Sequence, residues 1–286
     1  MQAEQSRKRR GLVTVGGILA LGATLFVWGF GIEPASLSTR GQTLRLPDWP
    51  ADCAGLRVAV LADVHTGSPW NGLGKLERIV EATNAAAPDL VLLAGDYVIH
   101  GVLGGRFVAP ETAAQGLARL EAPLGVFAVL GNHDWWLDAA RVTRALEAVS
   151  IPALEDRATP LARGACRFWL AGISDFREGA HDLDAAFAEV PAGAPLIAFT
   201  HNPDVFPEVP GRVTLTVAGH THGGQVFLPG FGRLIVPSAF GERFAIGHVV
   251  EEGRNLFVSP GLGTSILPVR FRVPPEISLL ELHPAH

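Results

Sequence analysis

The distribution of apolar and polar residues divides the chain into three regions. An uncharged apolar run comes first, then short apolar runs that alternate with helical periods, and then a half with more glycine and fewer helical periods. The first run extends from Gly11 to Ile32, and about 20 apolar residues are needed to cross a bilayer. This run therefore predicts a transmembrane helix.

The flanks of this run predict its orientation and the division of the chain. The basic cluster Arg7-Lys8-Arg9-Arg10 precedes it, and Glu33 is the first charged residue after it. Because basic flanks stay in the cytoplasm, the rest of the chain is expected on the periplasmic side of the inner membrane, after a single pass. A buried N-terminal helix is disfavoured by the glycines and the flanking charges. The predicted divisions are a basic segment at 1–10, an anchor or uncleaved export signal at 11–32, a linker at 33–54 and one folded domain at 55–286.

Short apolar runs after the linker predict buried strands. The runs at 56–62 (LRVAVLA), 89–94 (DLVLLA) and 125–130 (GVFAVL) are almost continuously apolar. Helical periods follow each of them, at 74–87, 112–120 and 137–149. Nearly continuous apolar strands that alternate with helices are typical of an α/β fold with a buried sheet.

The second half predicts mostly strands. Apolar residues have helical spacing at 183–189, which predicts a helix there, and a turn is predicted near 203–206. A further strand is predicted near 43–46 in the linker. The strands predicted in the second half lie at 168–172, 196–200, 215–218, 225–227, 245–250, 256–259 and 277–282.

Charge and cysteine content narrow the classes of function. The formal net charge is −5, and Lys and Arg are scattered outside the N-terminal cluster, which excludes the basic stripe expected of a nucleic-acid binder. Cys53 and Cys166 are too few for a disulfide scaffold and lie in no CxxC motif. They are interpreted as two separate, partly buried thiols, and pairing is left open for an exported domain.

Polar residues with metal-binding side chains follow five of the predicted strands. A single Asp after a strand is usually a helix cap, and a single GNHD is usually a turn, but five such strand ends in order are not explained by caps and turns. Ligand sites in open α/β sheets form at the carboxyl edge of the strands. Carboxylates mixed with imidazoles, without cysteine, favour Mn, Fe or Zn over Ca. The residues are Asp63, His65, Asp96, Asn132, His133, Asp134, His201, His220 and His222.

The order D-x-H, G-D, G-N-H-D, H, G-H-x-H resembles the calcineurin-like metallophosphoesterase superfamily. The longer stretches VLGNHDWW and GHTHGGQ, and the ending GTSILPVRFRVPPEI, resemble its membrane-associated bacterial branch. The resemblance covers about 56–282. It implies a four-layer α-β-β-α sandwich of two mixed sheets flanked by helices, here with an N-terminal transmembrane helix.

The resemblance also implies a site with two divalent cations, Mn²⁺ being expected and Fe or Zn being alternatives. Asp63, His65 and His222 would hold the first ion, Asn132, His201 and His220 the second, and Asp96 would bridge them. Two such ions generate a hydroxide nucleophile from water. The catalytic pair would be His133, which protonates the leaving oxygen or stabilises charge on phosphorus, and Asp134, which holds His133 or a ligand in place.

One departure from the family pattern limits the substrate class. The protein Ser/Thr phosphatases of the superfamily read G-D-x-x-D-R, whereas residues 95–100 here read GDYVIH. The Asp and Arg of that motif are missing, which disfavours phosphoprotein substrates. His100 could contact phosphate, but it is interpreted as a surface histidine.

The expected function is therefore that of a metal-dependent phosphoesterase. The apolar, Gly- and Pro-rich stretch at 225–247, directly after His222, and the anchor together favour a lipid-linked or cell-envelope phosphoester or pyrophosphate. One alternative is a lipid A enzyme resembling the UDP-2,3-diacylglucosamine pyrophosphohydrolases, with a cytoplasmic active site. Another is a metal-binding envelope protein without catalysis. No nucleic-acid partner is expected, and the chain is expected to be a monomer.

Overall fold

The computed structural model describes residues 2–285, and their side chains from Thr14 onward. The helices in chain order are α1 (Gln2–Val27), α2 (Glu33–Ala35), α3 (Leu73–Ala85), α4 (Pro110–Leu117), α5 (Asn132–Glu147) and α6 (Leu183–Phe187). The strands are β1 (Ser38–Leu46), β2 (Leu56–Leu61), β3 (Leu90–Ala94), β4 (Val126–Val129), β5 (Arg157–Arg163), β6 (Cys166–Gly172), β7 (Leu196–Phe199), β8 (Leu215–Ala218), β9 (Phe227–Leu228), β10 (Gly232–Arg233), β11 (Gly247–Glu251), β12 (Arg254–Val258) and β13 (Glu276–Pro284).

The N-terminal helix α1 continues through a π-helical turn at Trp28–Ile32 into α2. The segment Thr14–Ala35 is long and apolar enough to cross a membrane, and only 6% of its 18-residue apolar window is buried against the rest of the chain. A core helix would be covered by its own domain, so this exposure fits a helix surrounded by lipid. The predicted basic segment lies among residues whose side chains the structure does not describe.

Two mixed sheets form the body of the protein. The first has the order β1-β13-β2-β3-β4, in which β2, β3 and β4 are parallel and β13 is antiparallel to β2. The second has the order β11-β12-β8-β7-β6-β5, in which the four central strands are parallel and both edge strands are antiparallel. The parallel strands carry the continuous apolar runs because both of their faces are covered.

The apolar cores lie between four layers. Side chains from the facing sides of both sheets meet in one core, which includes Val60, Leu92, Phe199 and Val217. A second core lies between the first sheet and helices α3, α4 and α5. A third lies between the second sheet and α6. This arrangement confirms the predicted pair of mixed sheets flanked by helices.

Several predicted elements differ from those observed. Helix α5 begins at Asn132 rather than at 137, so the GNHD stretch is a helix start, and its backbone is extended at Asp138 where the helix is interrupted. Strand β5 was not predicted. The strand expected near 43–46 begins at Ser38 and pairs along its whole length with β13. Part of the stretch at 33–54 is thus a sheet strand, while the domain boundaries themselves stay predictions.

The two cysteines form a disulfide, so the expectation of two separate thiols was wrong. Cys53 lies in a 3-10 turn just before β2, and Cys166 opens β6. The sheets bring together residues that are 113 positions apart in the chain. Both side chains are buried in the core between the sheets, which links the two sheets covalently.

Removal of this disulfide is expected to destabilise the protein. Replacing both cysteines (Cys53→Ala with Cys166→Ala) should lower the free energy of unfolding by about 2–5 kcal/mol, because a long loop in the unfolded chain is no longer closed. Urea unfolding of the full chain in detergent measures the change. Dithiothreitol should destabilise the wild type and leave the double variant unchanged; equal unfolding curves for wild type and variant would contradict the expectation.

Candidate metal centre

All nine residues predicted for the site lie at the carboxyl edge of the two sheets. Asp63 and His65 follow β2, Asp96 follows β3, and His201 follows β7. The remaining five are Asn132, His133 and Asp134 at the start of α5, and His220 and His222 after β8. The parallel strands of both sheets end side by side, so residues far apart in sequence converge at one point.

The backbone at the site is strained. Five of the residues predicted as ligands have positive φ angles between 43° and 69°, a region that side-chain-bearing residues rarely occupy. These residues are Asp63, His65, Asp96, His220 and His222. Such conformations are costly and concentrate at functional sites, where the surrounding structure holds them in place.

Two glycines allow the loops to pack closely. A Cβ on Gly131 would collide with Asp96 Oδ1, and one on Gly95 would lie 2.7 Å from His201 Nδ1. Gly95 also has a φ of 85°. A side chain at Gly131 would displace Asp96, and one at Gly95 would displace His201 or the Gly131 backbone, so glycine is required at both positions.

One half of the site is built from Asp63, His65 and His222. The two imidazoles are stacked, with their Nε2 atoms 3.2 Å apart. His222 Nε2 also lies 3.5 Å from Asp63 Oδ1, and all three side chains are buried. The three residues offer ligand atoms close enough together to bind a single ion.

The other half contains Asn132, His201 and His220. His201 Nε2 lies 3.1 Å from Asn132 Oδ1 and 3.1 Å from His220 Nδ1. Asp96 lies between the halves, because its Oδ2 is 3.4 Å from the Nε2 of both His65 and His201. A single carboxylate thus faces both groups of ligands.

Hydrogen bonds to the backbone fix two of the imidazole tautomers. His65 Nδ1 lies 3.1 Å from the carbonyl oxygen of Val98, and His201 Nδ1 lies 2.8 Å from that of Ala94. A carbonyl only accepts, so both Nδ1 atoms carry a proton, and both Nε2 atoms are turned toward the other candidate ligands. Backbone carbonyls orient metal-binding histidines in this way in many proteins.

His133 has the opposite tautomer. The backbone N–H of His100 donates to His133 Nδ1 over 3.1 Å, so the proton of the neutral ring is on Nε2. That Nε2–H faces Asp96 Oδ2 at 4.0 Å. A protonated nitrogen cannot ligate a metal, whereas it can donate a hydrogen bond to an oxygen at the site. The exposed His100 therefore acts through its backbone, a contact that sequence reasoning missed.

Asp134 holds the loops of the site together. Its carboxylate is fully buried and accepts hydrogen bonds from the backbone N–H groups of Asp96, Tyr97 and Gly131 over 2.8–3.0 Å. These bonds join the loop that carries Asp96 to the start of α5. Asp134 therefore positions Asp96 through the backbone, and no bond to the His133 ring is found among the described residues.

The protonation states of the buried groups suit cation binding. Burial raises the pKa of Asp63 to about 7 and lowers the pKa values of His65 and His220 to about 4 and about 3, so both imidazoles are neutral. Burial opposes the charge of Asp96, but the neighbouring His201 holds the pKa of Asp96 well below its usual value. Burial also opposes the charge of His201, but Asp96 holds the pKa of His201 well above its usual value, so these two groups form an ion pair. Ligand imidazoles must be neutral, so a cation would replace the extra proton of His201 and compensate the buried carboxylates.

A buried arginine supports the site from behind and was also missed by sequence reasoning. Arg270 is fully buried, and its guanidinium donates to the carbonyl oxygens of Pro260, Gly261, Gly263 and Val273 over 2.6–3.2 Å. A Cβ on Gly261 would lie 2.7 Å from Asp63 Oδ2. Arg270 thus holds the segment 260–273, here called the strap, against the candidate metal-binding loop that follows β2.

Glu155 is expected to make stability depend on pH. Burial raises the pKa of Glu155 to about 8; its Oε1 accepts the Leu130 N–H, while its buried Oε2 has no partner among the described residues. The folded state then binds one proton more than the unfolded state between pH 4.5 and about 8, so stability falls as pH rises through this window.

Replacing the carboxylate by an amide removes this dependence. The variant Glu155→Gln should be more stable than wild type at pH 8 by about 2–4 kcal/mol, since one pKa unit corresponds to about 1.4 kcal/mol, and similar to it at pH 4.5. Urea unfolding at several pH values measures the difference between the two chains. A difference that does not change with pH would contradict the prediction.

The donor set fits divalent cations. The Nε2 atoms of His65 and His222 lie 3.2 Å apart, and His201 Nε2 and His220 Nδ1 lie 3.1 Å apart. Ligand bonds of about 2.0–2.2 Å place neighbouring ligands at about this spacing. His220 Nε2 and His222 Nδ1 are buried without a partner among the described residues, and the set contains no cysteine. Nitrogen and carboxylate ligands of this kind suit Mn, Fe or Zn.

Comparison with known proteins agrees with this chemistry. A family model described as calcineurin-like phosphoesterase matches residues 56–224. The chain is 27% identical over 283 residues to the uncharacterized metallophosphoesterase YkuE of Bacillus subtilis, which covers 96% of this chain and 97% of the relative. It is 30% identical over 244 residues to the phosphodiesterase YaeI of Escherichia coli, covering 83% and 86%. It is 28% identical over 325 residues to the UDP-2,3-diacylglucosamine pyrophosphatase LpxG of Chlamydia trachomatis, covering 92% and 94%.

Proposed function

Because the chain belongs to the calcineurin-like phosphoesterase family and is a metal-dependent hydrolase, we propose that it cleaves a phosphoester or pyrophosphate bond at a centre for two divalent cations. The observation that carries this proposal is the position of Asp96. Its Oδ2 is equally distant, at 3.4 Å, from one imidazole of each ligand group. A carboxylate in that position can serve two cations at once.

The residues divide into two ligand sets that share this carboxylate. Asp63, His65 and His222 would hold the first cation. The second would be held by Asn132, His201 and His220. When bound, two such cations lower the pKa of a water molecule and neutralise charge on the phosphate. Mn²⁺ is the proposed metal, because the mixture of carboxylate, amide and imidazole ligands suits it.

His133 has a different task, which its tautomer defines. Its Nε2–H is the only proton that the neutral ring can present, because Nδ1 accepts the His100 N–H. Burial also lowers the pKa of His133, although Asp96 opposes this shift, so the ring stays neutral. Full proton transfer from a neutral ring is unfavourable. Of the two roles predicted for His133, the geometry therefore supports stabilising charge on a phosphoryl oxygen by hydrogen bonding.

The proposed substrate is lipid-linked or part of the cell envelope. This proposal is supported by the candidate membrane span at Thr14–Ala35 and by LpxG, whose name describes a diacylated sugar nucleotide as its substrate. A lipid A activity of that kind needs a cytoplasmic active site. The buried disulfide between Cys53 and Cys166 supports the other side of the membrane, since disulfides persist in oxidising compartments.

A metal-binding protein without catalysis is the remaining alternative. Structural metal sites are typically closed and have four protein ligands. Here one carboxylate, Asp96, faces two ligand sets, and the Nε2–H of His133, whose Nδ1 accepts the His100 N–H, faces the same space. A hydrogen-bond donor in that position has no use in a structural site, which supports a catalytic one.

Metal removal and replacement tests the proposed function. The full chain in detergent micelles would be treated with EDTA, dialysed, and assayed for bis(p-nitrophenyl) phosphate hydrolysis with Mn²⁺, Fe²⁺ or Zn²⁺ added separately. Turnover should be lost with EDTA and should return with metal, most strongly with Mn²⁺. Turnover that survives complete metal removal, or that no metal restores despite metal binding, would contradict the proposal.

A further inference from the structure

The anchor helix enters the domain at the same edge as the metal centre. Ser38, at the start of β1, pairs with Glu276 at the start of β13, and Ser278 pairs with Val60 near the end of β2. The end of β2 leads directly to Asp63. The chain therefore passes from α2 into the sheet beside the candidate ligands, rather than at the opposite edge.

The junction between anchor and domain is fixed by buried hydrogen bonds. Glu33 is buried and accepts the Val273 N–H and the Trp28 Nε1–H, both over 2.6 Å. The Lys75 ammonium donates to the Pro34 carbonyl oxygen over 2.7 Å. Two further bonds join the helix end to the domain, Arg270 N–H to the Gly29 carbonyl oxygen and Trp70 Nε1–H to the Phe30 carbonyl oxygen, over 2.9 and 2.8 Å. These contacts fix the direction of the helix relative to the carboxyl edge of the sheets, where the candidate metal centre lies.

Large apolar side chains are exposed on three loops of this edge. The loops lie at 99–108 after Asp96, at 229–240 after His222 and at 264–268 after the strap residue Gly263. Six of their side chains are between 58% and 80% exposed. These six, here called the collar, are Leu103, Phe107, Phe231, Leu234, Ile235 and Ile266.

Backbone contacts connect these loops to one another and to the anchor. The Leu103 N–H donates to the Ile266 carbonyl oxygen over 2.9 Å, which joins the first and third loops. The Phe271 N–H donates to the Gln225 carbonyl oxygen, and the Phe227 N–H donates to that of Phe271, both over 2.9 Å. Phe271 directly follows Arg270, which bonds to the anchor helix. The loops that carry the collar are therefore connected to the place where the anchor meets the domain.

We propose that the collar lies in the interfacial layer of the bilayer leaflet that α1 enters, so that the metal centre opens toward the membrane surface. Contiguous exposed apolar patches on a protein mark an interaction site, and a helix that crosses the membrane at this edge brings lipid to it. Arg106 on the first loop and Arg272, four residues after the third, are exposed, and such side chains contact lipid headgroups beside an apolar patch. This inference rests on the membrane anchor in the proposed function, and it makes a lipid-borne phosphate the natural substrate.

Site-specific fluorescence in vesicles tests the proposal. The two natural cysteines are joined in the disulfide, so a new cysteine is the only thiol to label. Single variants Ile235→Cys and Ile266→Cys of the full chain would carry an environment-sensitive nitrobenzoxadiazole label. Val250→Cys is the control, because Val250 is likewise an exposed apolar residue (58%, against 77% for Ile235 and 71% for Ile266) but pairs with Asn255 at the end of β12 that is far from the candidate metal centre.

The protein would be reconstituted in vesicles of phosphatidylcholine and phosphatidylglycerol, with and without lipids that carry a nitroxide quencher near the headgroup. Labels at 235 and 266 should be quenched at least twofold more than the label at 250, and their emission should shift to shorter wavelength. Equal quenching at all three positions would overturn the proposal. A shifted emission without quenching would also overturn it, in favour of contact with a second copy of the chain. The measurement reports the position of each label relative to the lipid headgroups, so its result does not depend on turnover.

Discussion

Replacing Asp96 by Asn is expected to lower kcat by about 10³-fold and to reduce the metal content of the protein. Losses of this size follow when one electrostatic group at a reacting phosphoryl or acyl centre is removed. The substitution keeps the shape of the side chain, and the Oδ1 of Asn can still accept the hydrogen bond from the backbone N–H of His133. It removes the negative charge that lies 3.4 Å from both His65 Nε2 and His201 Nε2. In the proposed centre, both cations would lose a ligand charge in this variant.

Asp184→Asn is the matched control, because Asp184 is an exposed carboxylate on α6. Steady-state hydrolysis of bis(p-nitrophenyl) phosphate and metal content would be measured on the same preparations of full-length chain. The control should equal wild type in both. If Asp96→Asn kept wild-type turnover and metal content, the shared carboxylate would have no place in the mechanism.

The variant His133→Ala is expected to lose about 10²–10³-fold in kcat while its metal content is unchanged. The protonated Nε2 of His133 cannot ligate a cation, and its position 4.0 Å from Asp96 Oδ2 allows it to donate to an oxygen of the substrate. The loss should be similar for substrates with good and with poor leaving groups, because a hydrogen bond to a phosphoryl oxygen does not depend on the leaving group. A general acid would show a much larger loss with the poor leaving group.

His283→Ala provides the control for this second variant, since His283 is bound only to Glu281 near the end of β13 among the described residues. Hydrolysis of bis(p-nitrophenyl) phosphate would be compared with that of diphenyl phosphate, whose phenolate is a poorer leaving group. A loss of bound metal in His133→Ala would identify His133 as a ligand. A loss that grows steeply with leaving-group pKa would restore the role of proton donor.

The central strands, and the convergence of the candidate site residues at one edge, were predictable because two signals coincide at the same places. Strands β2, β3, β7 and β8 are buried on both faces, so they appear in the sequence as continuous apolar runs. Each run stops where a polar residue reaches the carboxyl edge. The residues that follow had no role in the core, and their chemistry identified them as candidate ligands.

Other features could not be predicted because they depend on tertiary neighbours. Strand β5 lies at a sheet edge and is partly exposed along its length, so it has no apolar run. The start of α5 resembles a turn in the sequence, because the Gly131–Asp134 capping contacts depend on the loop that carries Asp96. The disulfide requires that the two sheets face each other before Cys53 and Cys166 can meet.

The burial of the charged Arg270 could not be predicted from the sequence either. In the sequence it belongs to a segment with two arginines among prolines and valines, which gives no sign of burial. In the fold its guanidinium has its donors satisfied by carbonyl oxygens of the strap, which compensates the burial of its charge. The tautomer of His133 depends in the same way on the backbone N–H of His100, which lies 33 positions away in the chain.

The number of metal ions bound per chain tests the central claim most directly. The full chain in detergent would be loaded with Mn²⁺, freed of excess metal by gel filtration, and analysed by mass spectrometry for metal and protein. The site described here predicts two ions in the wild type and about one in His222→Ala, which removes a ligand from the first set only. At most one ion in the wild type, or two ions in both proteins, would contradict a centre in which Asp96 joins two cations.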